Sequence, residues 1–373
     1  MHAHMHAFCF AHPSSSLPRG SSRSLKLRTT PRGRVATHSS SQRHLCRTSQ
    51  RPSLATSAMA AADFAGDMRR DLLVCGGGGV LGRLIIQKWK DEFPQARIVA
   101  QTKSTNNHDE LQSTLGCETR VTPGAIVTSN QEKFPFVVFC APPSKTDDYA
   151  DEVDRAGQMW DATGTMLFTS STGVYEDTNG EEVDEDGDVK SVKKAEEQGV
   201  ELPESTKKLL GAESKTLRHG GCVLRLSGLY HSWRGPHTFW MQAGESKTNP
   251  NAVVNMIHYE DAASLAVAIL KGDGINGYYR AREFVGVEDQ SAGRKDMMDA
   301  VARCARYEGK GCTFTGDANG SVGKIMRMKN TKEMVGDFWQ PKYNKGFVAF
   351  MDEGANDTFA DAGPPENVGS GHG

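Results

Sequence analysis

Between Asp71 and Trp89 the chain reads DLLVCGGGGVLGRLIIQKW, an apolar strand that runs into four consecutive glycines and then directly into a helix. Few folds accept that order. Gly77, Gly79 and Gly82 fit G-x-G-x-x-G, and Gly76, Gly79 and Gly82 fit G-x-x-G-x-x-G, so the register stays open. In either register the first glycine permits a tight turn, and the middle one lets main chain approach a pyrophosphate without a Cβ. Gly82 lets the helix close onto the strand. The first helical residues, Val80 and Leu81 with Gly82, then offer unpaired N–H groups to phosphate oxygens. Leu72, Leu73 and Val74 before the turn, with Leu81, Leu84, Ile85 and Trp89 on one helix face after it, give the strand–turn–helix context that a bare glycine pattern lacks.

The rest of the chain alternates in the same way. Candidate strands lie at Asp71–Cys75, Ala96–Thr102, Phe136–Cys140, Met166–Ser170 and Cys222–Leu226, with helices at Val80–Phe93 and Lys145–Ala162 between them. Alternation predicts an α/β fold, a Rossmann-type doubly wound parallel sheet. Continuous apolar runs such as FVVFCA read as strands buried on both faces. The core is expected over 68–230 with an acidic, solvated loop at 176–204, and a smaller C-terminal substrate lobe over 231–350, interleaved with the end of the core. A disordered tail is expected over 351–373. Asp184, Asp186 and Asp188 alternate as in a calcium loop, yet no Glu stands where such a loop needs its twelfth ligand, so no metal is expected.

From Met1 to Ala62 there is no Asp or Glu, while the stretch carries eight arginines, one lysine and twelve serines. That composition predicts an organelle transit peptide, with the chloroplast stroma favoured and the mitochondrion as second choice. Setting those nine basic residues aside leaves 35 against 46 acidic ones, a body near −11 that argues against nucleic-acid binding through bulk charge. The basic patch Lys324, Arg327, Lys329 and Lys332 is the local exception. No run approaches a membrane span, and the six cysteines beyond the leader form no C-x-x-C pair. The expected partner is a small-molecule substrate, with a homodimer as one assembly the reading allows.

GGGGVLG at 76–82, FCAPPS at 139–144, FTSSTGVYED at 168–177 and LRLSGLY at 224–230 together resemble an extended or atypical short-chain dehydrogenase/reductase. NMIHYEDAASLAVAIL at 255–270 is similar to a segment of that family's nucleotide-sugar epimerase and dehydratase branch. The resemblance spans roughly 71–350. It implies a nicotinamide dinucleotide cofactor, with Ala141 and Pro142 lining it beside the glycine loop and Ser170. It also implies a serine at the end of the fifth strand, placed by the S-x-x-V-Y pattern on Ser171.

The family's Tyr-x-x-x-Lys pair is missing. The helix that ends in Ala212–Glu213 puts Ser205 at the Tyr position and Leu209 at the Lys position, and Lys207 and Lys208 are rotated away from it. General acid–base catalysis contributes roughly 10² to 10⁴-fold, so a working site needs a replacement. Tyr175, Tyr230 and His231 are the candidates, and Arg234 could hold an anionic substrate by a bidentate contact. His258 and Asp261 read as structural, with Asp261 facing the positive end of a helix dipole.

After the second strand NAD sites place an acid for the ribose hydroxyls, whereas this chain has Thr102 and Lys103, with no acid until Asp109. NADP is therefore expected, with NAD as the alternative. The activity expected is redox or epimerase-like chemistry on a small polar substrate such as a sugar nucleotide or carbonyl compound. A catalytically silent dinucleotide-binding protein is the alternative.

Overall fold

A computed structural model describes residues 69–122, 132–144, 146, 148–272 and 277–363. The expected transit peptide lies outside the described residues. Seven strands form the central sheet: β1 (Leu72–Cys75), β2 (Ile98–Thr102), β3 (Glu118–Val121), β4 (Phe136–Phe139), β5 (Met166–Ser171), β6 (Cys222–Leu226) and β7 (Glu283–Gly286). Their order is β7-β6-β5-β4-β1-β2-β3 and every pairing is parallel. Strand order therefore reverses between β1 and β4, where Leu72 is in register with Phe136 and Cys75 with Phe139. In an open parallel sheet, such a reversal opens a crevice at the strands' carboxyl ends.

Helices cover both faces. Helix α1 (Val80–Glu92) and α2 (His108–Leu115) lie on the face that carries Leu72, Val74, Ala100, Val138 and Leu224. Helix α3 (Tyr149–Gln158) and α4 (Glu204–Arg218) cover the face of Leu73, Cys75, Val137, Phe139 and Phe168. Alternation of Cβ along each strand produces this division, and both faces being buried explains the unbroken apolar runs. Helix α5 (Tyr259–Lys271) joins α1's side and is apolar almost all round, as a helix sandwiched between sheet and neighbours must be. In α1 the side chains of Ile85, Ile86 and Trp89 are wholly buried, each such burial stabilising by about 1.5–3 kcal/mol.

The five strands expected from sequence all enter the sheet. The two that sequence reasoning passed over are β3, a polar edge strand, and β7, four residues on the opposite edge. A smaller lobe is built from α6 (Arg294–Arg303), α7 (Gly346–Asp352) and short strand pairs, including Gly228–Tyr230 beside Met256–His258. Its core holds Tyr230, Met297, Val301, Phe347 and Phe350.

Two expectations are corrected. Residues 353–363, read as part of a disordered tail, are folded against the lobe. The Asp357 carboxylate accepts from the Ser232 N–H at 2.7 Å and the Ser232 hydroxyl at 2.8 Å, and lies 3.1 Å from His258 Nε2. Burial opposes its charge, but these bonds prevail and hold the carboxyl down at about 2. Nor is 176–204 a plain solvated loop. Glu182–Val183 pairs with Ile325–Met326, and the buried Glu185 carboxylate accepts the N–H groups of Lys329, Asn330 and Thr331.

Candidate functional site

The glycine turn sits at the β1/β4 reversal. Gly76 has φ +95°, and a Cβ there would stand 2.6 Å from the Ala141 nitrogen at the exit of β4. A Cβ on Gly77 would stand 2.7 Å from that of Ala100 on β2, and one on Gly82 would strike the Gly76 carbonyl oxygen. Those three glycines are required by the protein's own packing. Gly79 differs, since a Cβ there would meet nothing nearer than 3.4 Å, and the residue is exposed. It is the one glycine of the set that leaves room for something outside the fold.

Gly79 is also the N-cap of α1. No side chain caps that terminus and its first turn holds no acid. The N–H groups of Val80, Leu81 and Gly82 are thus the orphan donors every helix start leaves, facing the open side of Gly79. An uncapped, acid-free helix start with a bare backbone before it fits a pyrophosphate. Arg83 is turned elsewhere: its Nε donates to the Gly78 carbonyl at 3.1 Å and its Nη atoms hold Glu110 at 2.7 and 2.8 Å.

Next to the turn a cleft is lined by Gly76, Thr102, Lys103, Thr122, Ala141, Glu152 and Arg155, the carboxyl ends of β1, β2 and β4 with one face of α3. Thr102 Oγ1 donates to the Ser104 carbonyl at 2.7 Å and lies 2.7 Å from His108 Nε2. Lys103 is exposed and ion-paired, its Nζ 3.2 Å from the Glu152 carboxylate. Pro142 is exposed beside Ala141, whose carbonyl accepts the Tyr149 hydroxyl at 2.8 Å.

Ser171 ends β5. Its Oγ accepts the Gly173 N–H at 3.1 Å, which caps a single 3₁₀ turn and leaves the hydroxyl proton to donate. Ser170 points to the opposite face and is buried, donating to Glu213 Oε1 of α4 at 2.5 Å. It therefore supports α4 and does not line that cleft. Glu213 also holds Arg225 of β6, through Nη2 at 2.9 Å and Nε at 3.2 Å, and Arg225 Nη1 donates to the Tyr175 hydroxyl at 3.0 Å. Tyr175 is fully buried under that guanidinium, and burial pushes its phenol up to about 12. A phenol so placed packs the β5 turn and does not exchange protons with a ligand.

Tyr230, His231 and Arg234 gather in the lobe and none of them bonds to Ser171. The Tyr230 ring is enclosed by His258, Phe347 and Phe350, and burial raises its phenol well above the ordinary value. His231 stacks on Phe359 at 4.1 Å, its Nδ1 accepts from the Trp233 N–H, and burial pushes it down to about 4, so it is neutral near pH 7. Arg234 Nε donates to the Tyr259 hydroxyl at 3.1 Å. On α4, Leu209 faces the hydrophobic core where a lysine would be needed, and Lys208 Nζ reaches the Thr146 carbonyl at 2.5 Å.

Sequence reasoning missed the amines that the fold brings to the turn after Ser171. Lys190 Nζ donates to the Gly173 carbonyl at 2.8 Å, so Gly173 is held at its N–H by Ser171 and at its C=O by Lys190. Lys324 Nζ donates to the Tyr175 carbonyl at 3.0 Å. Burial lowers both ammonium groups, Lys324 to about 8 with Lys190 nearby adding to the effect. Lys190 belonged to a segment read as solvated, and only the pairing of Tyr175 with Val189 delivers it here. The rest of the basic patch is matched by acids: Arg327 with Glu182, Lys329 with Asp184 and Lys332 with Asp289. Among the described residues no group of three or more His, Cys, Asp and Glu is placed to hold a metal ion.

Solved structures share this architecture. A dTDP-glucose 4,6-dehydratase from Bacillus anthracis in complex with NAD superposes with a TM-score of 0.57 at 13% identity, over 76% of this chain and 95% of its own. The Candida albicans Gre2 in complex with NADPH gives 0.56 at 9% identity, over 77% and 99%. The chain has the fold of the extended short-chain dehydrogenase/reductases. A Bacillus cereus UDP-N-acetylglucosamine 4-epimerase, at 0.52 and 15% identity over 76% and 97%, has it too. No family model matches the chain, and no curated protein is similar enough in sequence to count as a match.

Proposed function

We propose that this protein binds a nicotinamide dinucleotide, NADP(H) before NAD(H), and carries out oxidoreductase or epimerase-like chemistry on a small polar substrate, a sugar nucleotide or a carbonyl compound. The single observation that carries the reading is the open, uncapped helix start at Gly79, set at the strand-order reversal where an extended dehydrogenase fold takes its ligand. Bound there, the nicotinamide supplies or accepts hydride. The chain's own part is to hold the pyrophosphate on the N–H groups of Val80 to Gly82, to donate a hydrogen bond from Ser171 to the reacting oxygen, and to exchange a proton. Lys190, joined to Ser171 through Gly173, is the amine placed for that last role, and burial moves its pKa toward the working range. The acid-free leader supports work inside an organelle, the chloroplast stroma first.

Calorimetric titration of the protein with NADPH and NADH tests this. Gly79→Val is the informative variant, because its side chain has room in the fold but occupies the phosphate position. The thermal midpoint is expected to stay within a few degrees of wild type while dinucleotide binding falls at least about 100-fold, the loss of a set of charge-assisted hydrogen bonds. Equal binding by wild type and variant would move the ligand elsewhere.

A second reading has its own observation: Ser205 and Leu209 occupy the Tyr and Lys positions, and Leu209 is committed to the core. It describes a dinucleotide-binding protein without turnover. Such a protein would bind NADPH as before in Ser171→Ala and consume none with any sugar nucleotide or carbonyl compound.

A further inference from the structure

The cleft beside the glycine turn contains a guanidinium, that of Arg155, for which the described residues supply no ion pair. Arg155 lies on the second turn of α3, its Nε is buried, and that atom has no hydrogen-bond partner. Among the described residues no carboxylate lies within ion-pair distance of it. Leaving a buried guanidinium nitrogen unbonded costs about as much as any unsatisfied polar group, so the arrangement is one that a ligand completes. Lys103, the residue that follows β2, is in the opposite condition: its ammonium is already matched by Glu152, which also accepts the Thr146 hydroxyl at 2.7 Å.

Position decides which anion. The pyrophosphate belongs to the α1 start beside Gly79, whereas Arg155 shares its cleft with Gln101, Thr102, Lys103 and Thr122, the ends of β2 and β3. That is the side on which a dinucleotide's adenosine ribose lies in this topology. We propose that Arg155 reads the 2′-phosphate of NADP, forking onto two of its oxygens, with the Lys103–Glu152 pair as the neutral outer wall of the pocket. Glu152 is the one carboxylate lining the cleft, and Lys103 restrains it from serving as a ribose-diol acceptor for NAD. Selectivity for NADP thus comes from α3 and not from the residue after β2. This inference rests on the dinucleotide reading above.

The test is calorimetry on the full chain with NADPH, NADH, adenosine 2′,5′-bisphosphate and adenosine 5′-monophosphate, for wild type, Arg155→Met, Arg155→Lys and Lys103→Met. Expected is a loss of about ten- to a hundredfold in affinity for NADPH and the bisphosphate in Arg155→Met, with NADH and the monophosphate unchanged, and a smaller loss in Arg155→Lys. Lys103→Met should change the NADPH/NADH ratio less than Arg155→Met does. A wild-type protein that binds both dinucleotides, and keeps the same ratio in Arg155→Met, overturns the assignment and leaves the dinucleotide reading standing. Equal loss of both dinucleotides in a variant whose melting is unchanged also overturns it, since Arg155 would then touch the shared part of the cofactor. A wild type that binds neither dinucleotide overturns the reading on which the inference rests, and the inference with it. If Arg155→Met melts early, Arg155→Lys, which keeps the charge and stem but not the fork, carries the decision.

Discussion

Glu213→Ala is expected to destabilise the protein by about 3 to 5 kcal/mol, a large share of the roughly 5–15 kcal/mol that holds a typical domain folded. Glu213 and Arg225 are 4% and 3% exposed, and their ion pair bridges α4 and β6 at the site's edge. Removing the carboxylate leaves the Arg225 guanidinium to Glu283 and the Tyr175 hydroxyl alone, and strips the Ser170 hydroxyl of its acceptor. Urea denaturation followed by fluorescence reads the change. The double variant Glu213→Leu/Arg225→Leu should recover much of the loss, because a buried pair replaced by apolar groups of similar size is often near neutral. A single variant within 1 kcal/mol of wild type would mean that solvent reaches the pair.

The second large effect concerns Glu288, just past β7. Its carboxyl is buried beside the Tyr230 hydroxyl, neither group making a hydrogen bond of standard geometry, and burial pushes it up to about 8. A carboxyl whose folded pKa lies above its unfolded one binds more protons when folded. Its contribution is therefore complete below about 4.5 and is lost as pH rises through 8. Between pH 5 and 8 the wild type should lose on the order of 3 kcal/mol more stability than Glu288→Gln, which keeps the shape and stays neutral. His231 and His237, both pushed down to about 4 by burial, act in the opposite sense over the lower part of that window, adding stability as pH rises from 4 to about 6.5 in wild type and variant alike. Paired denaturation curves of wild type and variant at pH 5, 6.5 and 8 isolate the glutamate. Parallel pH dependence of the two would place Glu288 in contact with water.

The frame of the molecule was legible because it rests on periodicity. Continuous apolar runs mark strands covered on both faces, and the glycine run marks the turn between β1 and α1 where Gly76, Gly77 and Gly82 have no room for a Cβ. β3 escaped because an edge strand exposed at both ends, ETRV, carries no apolar signal. The candidate site was only half legible. Ser171 follows from a local motif, but Lys190 and Lys324 reach the turn after it through bonds across 17 and 149 residues, and nothing local to either announces them. Tyr175, Tyr230 and His231 have suitable chemistry on paper. Burial removes it, and burial is a property of the assembled core.

The clasp formed by Asp357 has a consequence for synthesis. Strands β1 to β4, with the glycine turn between them, are complete once the chain has been made to residue 139, so a nascent polypeptide carries the elements of the proposed phosphate site early. The lobe's buried Ser232 and His258 must wait for a partner more than 90 residues downstream of either. The stretch that latches the lobe leaves the ribosome well after the glycine turn, and a chain ended before it by a stop codon would keep the turn and lose its latch.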